Sequence, residues 1–519
     1  MHKRNLFPLF FLGSVLSGCS IFQPRQEETA HLTVLHWNDL HARNVPFDIT
    51  VTDSVTSAKQ TYKVGGTANL IGYMNANGRG GPGVAVLNAG DDFQGTPISS
   101  ITKGRSQIEL MNIISPDAMV LGNHEFDYGL PSLRENISVA RFPIIGANLF
   151  DSSTGSTFVP SAVVKQFNNV KLGIIGLLPP DLPILTVAGH LAGTTMLSID
   201  SVVASQKHML REIDKVDLII VLSHMGVAED TALATRHNDI DIIVGGHTHL
   251  PLFKPIRKNR TIVVQAGSWG RYLGKLDLYV DLAGDSVISY TGQLVETKLG
   301  AHPIDSVAER KVLALEATIQ KELNEVIGTL TTDWTRSYNT ESNLGNWQAD
   351  VMREFAGTDI AFMNSGGLRK DLPAGVITRR DIWEINPFGN TLVVFNVPGD
   401  TLLRMLEWQA AGKGEFIQVS GIRYTVDPIK PFGQKVIMAT VNGKPIEREK
   451  TYSIVTNNYV AGHVRELFGI QQSSISITDL NVIDRDVFMD YIEKQKTVGS
   501  AIEGRITILS TSSTKEHRQ

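Results

Sequence analysis

An α/β fold in two domains is what this sequence predicts, and three observations carry the prediction. The chain has 519 residues, 42% of them hydrophobic, which suffices for a large core and exceeds what one ordinary domain needs. From Leu32 to Asp281 it repeats one theme, a short β-branched apolar run that ends abruptly in a polar cluster. After a charged stretch with helical spacing, Ser306 to Glu325, a second region of strand and helix patterns begins.

In chain order, Lys3 and Arg4 precede an apolar run from Leu6 to Leu16 that leads into Ser17-Gly18-Cys19. This reads as a cleaved export signal over residues 1–18. The run is too short to span a bilayer comfortably, and no other stretch reaches about 18 uninterrupted apolar residues, so no transmembrane helix is expected. Cys19 is the only cysteine, which excludes an internal disulfide. Its setting resembles a bacterial lipoprotein signal, in which this cysteine carries the lipid; the alternative is a plain secretory signal. Ser20 in place of Asp favours, by that resemblance, the outer membrane. The expectation is a cell-envelope protein, lipid-anchored at Cys19 and facing the periplasm, with residues 19–30 as a polar tether.

The first domain is expected over 31–300. The runs within LTVLHWND, GVAVLNAGDD, AMVLGNHEFD, LIIVLSHMG and DIIVGGHTH have the length and flanks of buried strands. Helical spacing between them, as in Gly66 to Asn75 and Ser201 to Ile213, gives layered α/β architecture. Charges interleaved with apolar residues from Ser306 to Glu325 predict an exposed helix within a linker, 301–327. A second domain follows over 328–510, then a disordered tail, 511–519.

Net charge of −5 with pI near 6.3 supplies no basic field for a nucleic-acid polymer. Small anions must be held by a local site, and the strand ends supply one. The five runs terminate in Asp39 and His41, Asp91, Asn123 and His124, His224, and His247 and His249. Open α/β sheets bind ligands beyond the carboxyl ends of their strands. Imidazole, carboxylate and amide oxygen together suit zinc, manganese or iron, and one carboxylate can bridge two cations. Two cations about 3.5–4 Å apart activate water and hold both oxygens of an in-line displacement, so phosphoryl transfer gains most. A single histidine at a strand end is more often structural; eight such residues at five ends reverse that weighting. His31, His36, His190, His208, His237, His302, His463 and His517 lack the context and keep a structural or solvated reading.

The blocks Asn38-Asp39-Leu40-His41, Gly90-Asp91, Gly122-Asn123-His124-Glu125, Ser223-His224 and Gly245-Gly246-His247-Thr248-His249 resemble those of the calcineurin-like metallophosphoesterases. Phe93-Gln94-Gly95-Thr96-Pro97 and Gln265-Ala266-Gly267 resemble the 5'-nucleotidase and UDP-sugar hydrolase branch. The resemblance covers nearly the whole mature chain and implies a four-layer β-sandwich flanked by helices, followed by an α/β substrate-binding domain. It implies two divalent metal ions, zinc, manganese or similar: one held by Asp39, His41, bridging Asp91 and His249, the other by Asp91, Asn123, His224 and His247. It places His124 near the phosphate without binding metal, oriented by Asp127; Asp127 as a cap of the following turn is the alternative. Asp92 reads as a local hydrogen-bonding residue.

Asn364-Ser365-Gly366-Gly367-Leu368-Arg369 is a glycine-rich turn ending in arginine, suited to an anion. With Glu341 to Asn346 and Asn386-Pro387-Phe388-Gly389-Asn390 it resembles the family's substrate domain. That resemblance implies nucleotide contacts from Asn364, Arg369 and Asn390, and a base sandwiched by Phe388 and Tyr459. Stacking tolerates any base. Two departures stand out. After Tyr459 the family continues into Gly-Gly-Asp-Gly, whose acid binds ribose hydroxyls; here the chain reads Val460-Ala461-Gly462-His463-Val464-Arg465. Before Glu341, a phosphate-contacting arginine is replaced by Tyr338, and Arg336 two residues back is the candidate substitute.

The expected activity is metal-dependent hydrolysis of nucleoside 5'-monophosphates or related nucleotide esters outside the cytoplasm, releasing phosphate. The alternatives are a UDP-sugar, dinucleotide, cyclic-nucleotide or sulfur-ester hydrolase, and a non-catalytic nucleotide-binding lipoprotein. The oligomeric state is left open.

Overall fold

The computed structural model describes residues 29–52, 59–187 and 189–509. The export signal, Cys19 and most of the tether lie outside the described residues, as does the C-terminal tail with His517.

Two six-stranded sheets face each other in the N-terminal half. In the first, Thr29–Trp37, Val84–Asn88, Ala118–Val120 and Ile144–Ile145 run parallel, with Tyr272–Asp281 and Ser286–Glu296 added antiparallel at one edge. In the second, Val170–Leu177, Leu218–Ser223, Ile242–Gly245 and Thr261–Gln265 are parallel and closed at each edge by an antiparallel strand. Side chains alternate across each strand. Leu32 and Val34 therefore meet Leu172, Ile174, Ile220 and Val244 between the sheets. Leu35 and Trp37 face the other way, onto Leu70, Met74 and Met111 of the helices Thr67–Ala76 and Arg105–Ile114. On the far side Ile175, Val221 and Ile243 pack on Val203 and Leu233. The result is helix, sheet, sheet, helix. Strands buried on both faces have to be apolar throughout, which explains the unbroken Leu218–Ser223 run.

The helix Ser306–Leu323 is capped by Asp305, whose carboxylate accepts from the Val307 and Ala308 amides. Its Ala308, Val312, Ile319 and Leu323 are buried, and it packs on Thr67–Ala76 and Arg105–Ile114. Exposed residues such as Val307 and Leu313 line its other side.

The C-terminal half centres on a five-stranded sheet in the order Ile417–Ser420, Ile360–Asn364, Thr451–Asn457, Thr391–Pro398, Thr478–Ile483. One face packs Ala361 and Met363 against Trp347, Met352 and Phe488; the other packs Ile360 and Phe362 against Leu402, Leu406 and Phe468. This is the two-domain α/β architecture expected from the sequence.

Candidate metal centre

The carboxyl ends of both N-terminal sheets open on one point. Asp39 and His41 follow Thr29–Trp37, Asp91 follows Val84–Asn88, Asn123 follows Ala118–Val120, His224 follows Leu218–Ser223, and His247 and His249 follow Ile242–Gly245. The backbone turns sharply at each end. Asp39, His41, Asp91, His247 and His249 all have φ between 50° and 75°, a left-handed conformation uncommon outside glycine and concentrated at functional sites. Close approach demands glycine beside them: a Cβ on Gly122 would lie 2.2 Å from Asp91 Oδ1, and one on Gly246 2.6 Å from the Ala89 carbonyl oxygen.

The donor atoms converge in clusters. Asp39, His41 and His249 present atoms within 4.8 Å of one another, and so do Asp91, His224 and His247. His41 Nδ1 faces the Gln94 carbonyl oxygen at 3.1 Å and His224 Nδ1 faces that of Ala89 at 2.6 Å. A carbonyl only accepts, so each proton sits on Nδ1 and the Nε2 lone pair points inward. His41 Nε2 lies 2.9 Å from His249 Nε2, and His249 Nε2 lies 3.2 Å from Asp39 Oδ1. His224 Nε2 lies 3.0 Å from Asp91 Oδ2.

This donor set fits divalent cations. Asn123 Oδ1 is buried without a hydrogen-bond partner, and Asp39 Oδ1 and His224 Nε2 face only other metal-competent side chains, an arrangement that a bound cation would satisfy. Burial pushes His41 down to about 3 and His247 to about 4, leaving neutral imidazoles with free lone pairs. For His224 burial acts the same way, but Asp91 and Asp39 outweigh it and draw positive charge toward the ring. The same field would attract a cation.

His124 opens the 3-10 turn His124–Phe126, and its Nδ1 lies 2.8 Å from Asp127 Oδ2. Burial opposes charge on this ring, yet Asp127 and Asp91 together hold it above the ordinary histidine range. Its backbone amide donates to Asp91 Oδ1 at 2.9 Å, and its ring also comes within 4.8 Å of His41 and Asp91. Asp92 appears in none of these clusters. It is buried against Asn88 and Trp37, and burial followed by the Glu125 charge holds its carboxyl well above the usual range.

Several residues that the sequence reading passed over shape the centre. Glu125 accepts from the amides of Asp91, Asp92 and Gly122 at 3.0, 2.8 and 2.7 Å, tying two ligand-bearing turns together. Asn38 donates to Asp39 Oδ2 at 2.6 Å and accepts from the Ala266 amide at 2.8 Å. Glu125 adjoins two predicted site residues, but nothing in its spacing reveals which amides it will meet.

A cleft runs from this centre to the C-terminal half. It is lined by Asn123, His124, Asp127, Leu185, Val187 and His247 of the N-terminal half and by Asn364, Arg369, Phe388, Asn390 and Tyr459 of the C-terminal half. Phe388 lies 5.8 Å from the His124 ring and 5.7 Å from the Arg369 guanidinium. Arg336 and Tyr338 face the His41 and His249 side together with Arg43, and the Arg336 guanidinium donates to the Tyr338 hydroxyl at 2.7 Å. Arg465 is exposed and does not line the cleft. The two halves touch around it. Tyr459 donates to the Ile184 carbonyl at 3.2 Å, His463 Nε2 faces the Pro183 carbonyl at 3.3 Å, and Ser100 donates to the Pro387 carbonyl at 3.1 Å. His463, given a structural or solvated reading from sequence, is buried at this junction.

The calcineurin-like phosphoesterase family model matches residues 32–251, and the 5'-nucleotidase C-terminal domain model matches residues 326–469. A 5'-nucleotidase of Homo sapiens is 28% identical over 92% of this chain and 90% of its own length. An apyrase of Tabanus yao is 29% identical over 92% of this chain and 94% of its own. The crystal structure of a 5'-nucleotidase precursor from Thermus thermophilus superposes with a TM-score of 0.82 at 31% identity, covering 93% of this chain and all of that one. On its metal-competent clusters, its two-domain fold and these matches, the chain belongs to the 5'-nucleotidase family and is a metal-dependent phosphoesterase.

Proposed function

We propose that the protein hydrolyses nucleoside 5'-monophosphates, releasing phosphate, with two divalent cations at the strand ends. The observation that carries this reading is the continuity of the cleft, where metal-competent residues, an arginine and two aromatic rings line one wall. Asp39, His41, Asp91 and His249 would hold one cation, and Asp91, Asn123, His224 and His247 the other. When bound, such a pair activates water and neutralises charge on the transferring group. The chain's own residues do the rest. His124, held by Asp127 and biased toward its charged form, would supply a proton or a positive charge to the leaving oxygen. Arg369 offers a forked donor to phosphate, Phe388 and Tyr459 hold the base, and Asn364 and Asn390 supply amides along the wall.

The apyrase relative and the arginines Arg43 and Arg336 beyond the centre favour nucleoside diphosphates as a second substrate class. A panel of AMP, UMP, ADP, UDP-glucose and a cyclic nucleotide, scored with metal-loaded protein by phosphate release and by chromatographic separation of the nucleoside and nucleotide products, tests both. Fastest release from the monophosphates supports the main reading; activity confined to UDP-glucose or the cyclic ester would overturn it.

Export and lipid attachment at Cys19 complete the proposal. No helix among the described residues is long and apolar enough to cross a membrane, so a membrane address would rest on that cysteine. Mass analysis of the mature N-terminal peptide should show acylated Cys19, and Cys19→Ser should free the protein from the envelope; an unmodified cysteine in an envelope-bound protein would contradict it.

A further inference from the structure

The cleft contains one acidic side chain with no part in the chemistry above. Glu415 precedes the strand Ile417–Ser420 and lines the same wall as Asn364, Gly366 and Gly367. Its Oε1 accepts from the Gly366 backbone amide, and Asn364 Nδ2 reaches its two oxygens at 3.4 and 3.3 Å. Asn364 is itself fixed by Asn457, whose amide donates to its Oδ1 at 3.0 Å. The carboxylate therefore stands on a rigid support, with Oε2 engaged only by the long Asn364 contact. A carboxylate has about four acceptor positions and these contacts take three of them, so one position remains, on Oε2, for a further donor.

Its place along the cleft narrows what that donor is. The Arg369 guanidinium and the Tyr459 ring both lie within electrostatic reach of it. It shares the cleft with Arg369, Phe388 and Tyr459, the residues proposed to hold the phosphate and the base. Burial holds its carboxyl above the ordinary range, against the Gly366 amide, Asn364 and the charges of Arg369 and His463. A half-buried acceptor of this kind favours ligands that bring hydroxyls and penalises those that leave it unpaired. Among the described residues that line the cleft the one other carboxylate is Asp127, which is engaged by His124, and the segment Val460 to Arg465 carries none.

We propose that Glu415 recognises the ribose, its Oε2 accepting a hydrogen bond from a sugar hydroxyl of the bound nucleotide. The assignment rests on the nucleotide reading above. It makes the Ile417–Ser420 side of the cleft, and not the loop after Tyr459, the source of sugar recognition.

The test is kcat/KM for AMP, 2'-deoxy-AMP and 2',3'-dideoxy-AMP, with metal-loaded wild type and with Glu415→Gln, which keeps an oxygen for the Gly366 amide. Wild type should prefer AMP over the dideoxy nucleotide by roughly ten- to a hundredfold, the scale of a hydrogen bond to a charged group. In Glu415→Gln that ratio should fall toward one, mainly through loss of the AMP rate. Equal wild-type rates on all three nucleotides would overturn the assignment whether or not the variant folds. A variant that slows all three equally and keeps the ratio would reduce Glu415 to a support for Gly366. Wild type that cleaves p-nitrophenyl phosphate but none of the nucleotides would overturn the nucleotide reading and this assignment with it.

Discussion

His124 and Glu125 are neighbours in sequence with opposite duties. His124 faces the cleft with its charge sustained by Asp127, and His124→Ala should lower kcat on AMP by about 10²- to 10⁴-fold, the usual range for one acid or base. Metal content should be unchanged, measured alongside steady-state rates; loss of metal would mean that His124 is a ligand. Glu125 faces inward, and its carboxylate accepts three backbone amides. Glu125→Gln turns an amide NH2 toward those donors and should cost about 1–3 kcal/mol in denaturant unfolding, as for a buried group left unpaired. The metal-competent clusters were legible in the sequence because each of their residues follows an apolar run and carries a carboxylate or imidazole. Glu125, Asn38 and Glu415 were not, because an acid or amide at a turn gives no sign of which amides it will meet.

At the level of elements, the sequence reading did best where burial leaves no choice. Leu218–Ser223 is buried on both faces, so its composition announces a strand. Ile220→Ala there should destabilise the protein by about 2–5 kcal/mol, the cost of a cavity between two packed layers, with an unchanged denaturant slope showing that the fold survives. Amphipathic helices carry a weaker signal: charges along Ser306–Leu323 suggested an exposed helix, while its spaced Ala308, Val312, Ile319 and Leu323 are buried. The aromatic positions Phe388 and Tyr459 lie just past the ends of a helix and a strand, Arg379–Ile385 and Thr451–Asn457. Phe388→Ala should raise KM for AMP at about 1–3 kcal/mol per stacked base, with a much smaller effect on p-nitrophenyl phosphate; equal effects on both would remove its base contact.

Across the whole molecule, the metal-competent clusters belong to one half and the nucleotide wall to the other, and the contacts of Tyr459, His463 and Ser100 hold the halves together around the cleft. Which loops meet there was beyond the reach of the sequence, since Pro183, Ile184, Leu185 and Val187 carry no chemical motif and matter only through their position. Movement of one half against another commonly gates entry and release of a substrate held between them. A reducible crosslink between cysteines placed at Ile184 and Arg465 should therefore cut kcat more than about tenfold until reductant is added, and an unchanged rate would show that the halves need not part. The proposed activity requires two cation sites at the strand ends. Its most direct test is phosphate release from AMP by chelator-stripped protein titrated with manganese or zinc, with bound cations counted at each step. Activity that returns only as the second cation per chain binds is the expected result; full activity in stripped protein, or with a single cation, would contradict it.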